Sequence, residues 1–253
     1  MTTIGVIYKK EDKLIAGTAR QVIKELEGKG YTLDLNKAKF VITLGGDGTI
    51  LRAARLLAEK KIPILSIHMG GLGFMAEIEL HKLDEALALV KKGKFTIDER
   101  MMMEAQVGGR KMTALNDIVI CKSGIARVIK LELKGVAEYT ADGMIFSTAT
   151  GSTAYNLSAG GPILTPESKS IVVSAICPHS ISNRSIVMDG PIDVVLNRGK
   201  ETLLTADGQH MVPLREGQKI RIQTSELKAR FIRLRGARFF ERIKEAFGFG
   251  PNV

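Results

Sequence analysis

Tryptophan is absent from this 253-residue sequence, aromatic residues amount to 5%, and there are only two cysteines, Cys121 and Cys177. Each scarcity excludes something. A protein that grips nucleic acid by stacking needs aromatic platforms along a basic stripe. Here the net charge is +10, but the Lys and Arg are scattered and interleaved with Asp and Glu. That favours a mild field for phosphorylated small molecules over a nucleic-acid partner. The cysteines lie far apart, with no His or Cys at metal-ligand spacing, and read as buried free thiols in a reducing compartment. No apolar run approaches the roughly 20 residues of a membrane span. The opening MTTIGVIYKKEDK has only a short apolar stretch and reads as no signal peptide. A cytoplasmic protein without membrane contact is expected.

What is present is a change of pattern along the chain. Residues 3–8, 40–44 and 62–67 read as strands, and 16–28, 49–60 and 83–90 as helices, the last closed by Gly93. Strands alternating with helices predict an α/β domain with a parallel sheet over residues 1–95. From Lys94 onward short strand-like segments dominate: 101–107 and 111–120 around Gly108-Gly109, a hairpin signal, then 128–133, 143–147, 171–174, 192–196, 202–205, 219–224 and 229–234. Residues 96–236 therefore read as a β-rich domain, and 237–247 returns to helical spacing.

The sharpest local signal is FVITLGGDGTILRAARLL, residues 40–57. An apolar strand enters a helix through Gly45, Gly46, Asp47, Gly48 and Thr49. Glycine lets main chain approach a phosphate, and a helix N-terminus offers free N–H groups. A carboxylate in that positive field suits metal ligation or general-base work toward a hydroxyl that attacks phosphorus. The plain alternative is a helix N-cap. The spacing is neither Walker A nor G-x-G-x-x-G. Arg52, one turn on, could meet a phosphate or solvent. A second stretch, DGMIFSTATGSTAYNLSAGGPILTP (142–166), gathers hydroxyls and glycines around Tyr155, which suits ribose and base edges with a ring for stacking. The alternative is a polar surface loop. Third, Asn116-Asp117 interrupts an apolar strand, and buried polar groups need partners, a ribose diol among them.

These strings together resemble the NAD kinase family, in order and over nearly the whole length: LGGDGT (44–49), GGLGF (70–74), Asn116-Asp117, Asp142-Gly143, STATGSTAYNLSAGGP (147–162), PHS with a following Arg (178–184) and DGQ (207–209). The long hydroxyl-rich string is specific. GGDGT alone is shared with lipid kinases and phosphofructokinase-type kinases. Ala149, His68 and Ser185 depart from the usual family residues without removing a reactive group.

The resemblance implies an N-terminal α/β domain and a C-terminal β-rich domain, with the tail 237–253 returning to the first. It implies phosphoryl transfer from ATP, with polyphosphate as a possible donor, to the 2′-hydroxyl of the adenosine ribose of NAD. Mg²⁺ or Mn²⁺ would accompany the ATP, and no residue is assigned as a metal ligand. Asp47 would be the general base. Gly45, Gly46 and Gly48 would shape the phosphate turn, and Arg52 and Phe74 would be among the nucleotide-binding residues. Asn116 and Asp117 would hold a ribose, and Arg127 would contact the dinucleotide. Asp142, Thr153, Ala154, Tyr155, Asn156, Leu157 and Ser158 would take base and ribose edges, and Gln209 would close the site. Some members carry a basic residue two positions before the acid of Asp-Gly; here that position is Thr140. A homodimer or homotetramer is implied. The rivals are a lipid kinase using the same turn, which would need an apolar groove, and a sensor that binds NAD without turnover.

Overall fold

A computed structural model describes residues 2–70, 73–124, 128–234, 236 and 239–248. The chain forms two compact units, Met1–Glu99 with Ala229–Val253, and Arg100–Lys228. The change in composition had set the boundaries near residues 95 and 236; those of the units fall a few residues inside two long strands instead.

In the first unit, β1 (Thr3–Tyr8) leads to α1 (Lys13–Gly28), β2 (Thr32–Leu33), β3 (Val41–Leu44), α2 (Asp47–Leu57), β4 (Ile64–His68), β5 (Ile78–Glu79) and α3 (Leu83–Lys91). Helix α1 starts a turn earlier than its apolar spacing suggests, because Asp12 caps it by accepting the N–H groups of Leu14 and Ile15 at 3.1 Å each. All four residues of β3 are buried. Strands β1, β3 and β4 pair in parallel, as expected where helices cover a sheet. Ile4, Ile42, Leu44, Leu65 and Ile67 meet Val22 and Leu26 of α1 in one core. Each fully buried Leu or Ile there contributes roughly 1.5–3 kcal/mol of transfer free energy.

The chain enters the second unit within β6 (Thr96–Val107). There follow β7 (Arg110–Ala114), β8 (Asp117–Lys122), β9 (Ile129–Leu133), β10 (Ala137–Ala141), β11 (Gly143–Ser147), α4 (Tyr155–Ser158), β12 (Ile171–Ile176), β13 (Ile186–Met188), β14 (Ile192–Arg198), β15 (Thr202–Ala206), β16 (His210–Leu214) and β17 (Lys219–Arg233). A six-stranded antiparallel sheet runs in the order β13-β12-β11-β8-β15-β16. Strands β10, β9 and β14 follow one another by antiparallel pairing, and β14 pairs with the first half of β17. Phe146, Ile118, Ile120, Leu131, Val194, Leu196 and Ile222 fill the core. The predicted hairpin forms: Gly108 and Gly109 both take positive φ, 54° and 75°, and Val107 pairs with Arg110. The end of β17 pairs with β4 at Phe231 and Ile64, and α5 (Phe239–Phe247) belongs to the first unit.

Two expectations need correction. The segment 111–120 is not one strand. It breaks at Leu115-Asn116, with β7 pairing β6 and β8 passing into the six-stranded sheet. Segments 219–224 and 229–234 are a single strand, β17, and the Ser225–Lys228 stretch between them stays extended. The thiols also differ from expectation, since Cys121 is half-buried and Cys177 exposed.

Candidate active site

The Gly45–Thr49 turn does what its glycines permit. Gly45 has φ +146°, and a Cβ there would lie 2.6 Å from Thr49 Oγ1, so only glycine fits. Gly46 is the N-cap of α2 and provides no side-chain bond. Asp47 is thus the first helical residue and not the cap. Its carboxylate turns away to accept the N–H of Phe74 at Oδ2 (3.2 Å) and the N–H of Met75 at Oδ1 (3.3 Å). Gly73 passes so close that a Cβ there would lie 2.7 Å from Asp47 Oδ1. Two main-chain donors, one per oxygen, fix the plane of the carboxylate. Each oxygen keeps a second lone pair for an incoming hydroxyl.

The second unit builds a different kind of place. Asn116 and Asp117 sit at the break before β8, 9% and 6% exposed. The side chain of Asp207, in the left-handed region at φ 51°, accepts the N–H groups of Leu115 (3.1 Å), Asn116 (2.7 Å) and Asp117 (3.3 Å). Those donors are why the segment bends there. Asn116 Oδ1 is buried with no hydrogen-bond partner among the described residues, a state that normally calls for a ligand or water. Burial, with the field of Asp207 second, pushes the Asp117 carboxyl up to about 7. Gly151 crosses beneath: a Cβ on it would lie 2.1 Å from the Asn116 carbonyl oxygen. Thr148 ties both together, donating to the Leu115 carbonyl (2.6 Å) and accepting the Gly151 N–H (3.1 Å). Tyr155 is 47% exposed. Burial of its base raises its hydroxyl pKa, as do the fields of Cys121, Cys177, Asp117 and Asp142.

The expected residues therefore fall into two groups. Gly45, Gly46, Asp47, Gly48 and Phe74 come together in the first unit. Arg52 is half-buried on α2 and makes no hydrogen bond or ion pair among the described residues. In the second unit Asn116 and Asp117 lie at the end of β8 that pairs with Ser147, Asp142 lies beside Lys122 at the other end, and Tyr155, two residues after Thr153, feels the charge of both Asp117 and Asp142. The Thr140 carbonyl accepts the His179 N–H at 2.9 Å, and Gln209 is exposed. Ala154, Leu157 and Ser158 form the α4 turn. Arg127 lies outside the described residues. The Asn156 amide is 0% exposed and already hydrogen-bonded within the protein. It donates to the Ser152 and Pro162 carbonyls (3.1 Å each) and accepts from Ser174 (2.7 Å), so it braces the turn from within.

Sequence reasoning missed Asp207, Gly151 and Lys122 as functional neighbours. Lys122 pairs with Asp142 at 2.7 Å. The first two lay inside strings already singled out, but only the folded chain shows which atoms they support. Among the described residues no cluster of His, Cys, Asp or Glu forms a metal centre, and no helix is long and apolar enough to cross a membrane.

Comparison with known proteins identifies the family of both domains. Residues 8–95 match the ATP-NAD kinase N-terminal domain and residues 115–234 the ATP-NAD kinase C-terminal domain. The NAD kinase of Moorella thermoacetica is 37% identical, with 100% of this chain and 91% of that one covered. That of Carboxydothermus hydrogenoformans is 38% identical, with 93% and 87% covered. Yeast NADH kinase complexed with NADH shares the fold, with a TM-score of 0.87 at 20% identity over 100% of this chain and 89% of that one. An NAD kinase from Archaeoglobus fulgidus in complex with ATP gives 0.76 at 26% identity, with 98% of each chain covered. With both domains matched in series and relatives aligned across its length, the chain belongs to the NAD kinase family.

Proposed function

We propose that this kinase transfers the γ-phosphoryl group of ATP to the 2′-hydroxyl of the adenosine ribose of NAD, with Asp47 as general base. The observation that carries the role is the orientation of Asp47: a carboxylate at the first position of α2, held by the N–H groups of Phe74 and Met75 and not used as a cap. As the 2′-oxygen bonds to the γ-phosphorus and the bond to the β-phosphate oxygen breaks, the hydroxyl proton passes to an Asp47 oxygen, and ADP leaves. Such assistance contributes about a hundredfold to ten-thousandfold. The open glycine main chain and Arg52 offer N–H groups and charge to phosphates.

Asn116 and Asp117 hold a ribose. The unpartnered Asn116 Oδ1 accepts one hydroxyl, and Asp207 fixes the pair in place. Tyr155 offers a ring face. A divalent cation bound by ATP would neutralise charge on the phosphates. The family resemblance further supports a cytoplasmic homodimer or homotetramer.

The experiment is to incubate the protein with ATP, Mg²⁺ and NAD and to detect the product with an NADP-specific dehydrogenase. Signal that depends on protein and ATP is expected. Tight NAD binding without any NADP would favour the sensor reading.

A further inference from the structure

The Asp47 carboxylate rests on residues 73–75, which form no helix or strand. Something else must hold that segment still, and the contacts lead to the C-terminal helix α5. Phe74 is bonded from both sides: its N–H goes to Asp47, and its carbonyl accepts a hydrogen bond from Arg242 Nη1 at 2.8 Å. Its ring packs edge-on against Phe239, centroids 6.2 Å apart, and tilted against Phe247 at 5.9 Å. Arg242 also reaches Glu77 at 3.6 Å. Glu77, its side chain only 5% exposed, accepts from Arg233 (3.0 Å) and from the Leu234 N–H (2.9 Å), and its own N–H donates to the Ser66 carbonyl of β4 (2.9 Å). A short relay thus runs from the buried sheet through Glu77 and Arg242 to the peptide that orients the carboxylate.

We infer that Arg242 is a positioning residue for Asp47, and that α5 sets the alignment of the base. The inference rests on the base role given to Asp47 above. Helix α5 is the last described helix of the chain, far in sequence from the glycine turn, and nothing in its composition marks Arg242 apart from its neighbours. The physics is that of alignment. Losing one anchor of the loop lets the carboxylate drift relative to the attacking hydroxyl, and displacements near an ångström cost up to about a hundredfold in rate.

The test is a double-mutant cycle of Arg242→Met with Asp47→Asn. Methionine keeps the aliphatic reach and removes both donors. Arg242→Met alone should lower kcat by about tenfold or more while KM for NAD stays within about twofold. Arg242→Lys, which keeps one donor, should recover part of the loss. In the Asp47→Asn background, Arg242→Met should cost nothing further, since the group it positions is gone. If Arg242→Met is too unstable to assay, Arg242→Lys carries the same cycle with a smaller expected loss. A folded Arg242→Met protein with unchanged kcat would overturn the inference, as would a full additional loss in the Asp47→Asn background; in either case the base role stands. If Asp47→Asn itself keeps normal turnover, the base role falls and the inference falls with it.

Discussion

The two polar regions of this molecule solve opposite problems. Around Asp47 the side chain is satisfied: main-chain N–H groups grip both carboxylate oxygens, and the surrounding glycines leave the backbone open. Around Asn116 and Asp117 the main chain is satisfied, by Asp207, and the Asn116 Oδ1 is left without a partner among the described residues. A group that must act on a proton has to be aimed before substrate arrives, which is what gripping the carboxylate achieves. A group that must hold a ribose gains from arriving unpaired, because its hydrogen bonds are then completed only by the ligand. With the proposed roles, the contrast separates a place for chemistry from a place for binding.

The contrast can be broken most severely at Asp47. Asp47→Asn preserves size and removes the base, so kcat should fall by at least about a hundredfold in steady-state assays of NADP formation. Near-normal turnover would reduce Asp47 to a structural residue. At the other region, Asn116→Ala should raise KM for NAD by a factor corresponding to roughly 1–3 kcal/mol. An unchanged KM with a large fall in melting temperature would mean that Asn116 only supports the bend.

Asp117 gives a prediction of opposite sign for stability. Below its ordinary value of 3.8 the carboxyl is protonated whether the chain is folded or not. Between 3.8 and about 7 the unfolded chain releases a proton that the folded chain retains. Stability is therefore lost as pH rises through that window. Asp117→Asn removes the burden and should stabilise the ligand-free protein at pH 8 relative to pH 5, by on the order of 1–3 kcal/mol. Melting curves of both proteins at the two pH values check this, and a pH-independent difference would count against a buried, charge-averse Asp117.

The smallest expected effect concerns redox form. Thr140 is uncharged, and Lys122, the cation paired to Asp142, is already neutralised. With no charge at position 140 to repel an oxidised nicotinamide, native kcat/KM should not favour NADH, whereas Thr140→Arg should shift the ratio toward it. A native preference for NADH above about tenfold, roughly 1.4 kcal/mol, contradicts this.

How much of this was legible beforehand varies by kind of information. Periodicity identified β1, β3 and α3 because their apolar residues face one core, and α2 because its apolar residues are buried along one side. The glycine turn was legible because φ of +146° at Gly45 and the tight space beside Thr49 leave only one residue type. Strand β16 gave no signal: His210, Met211 and Pro213 are exposed, so its pattern is that of an edge strand with little to bury. The break at Leu115-Asn116 depends on a carboxylate 90 or more residues away, and no local window contains it. Asn116 and Asp117 were found as polar residues in apolar company. The same logic picked out Asn156, whose amide braces the α4 turn, because a buried amide looks alike in sequence whether it serves a ligand or the fold.

The division of labour itself is tested most directly by calorimetric titration of NAD into the Asp47→Asn protein. If Asp47 acts in chemistry and the second unit's polar residues hold the dinucleotide, Kd should stay within about twofold of the native value although turnover is lost, as for an interaction made only in the transition state. A Kd weakened by about tenfold or more, in step with the loss of turnover, would contradict it: Asp47 would then be a binding residue, and the base would have to be sought elsewhere.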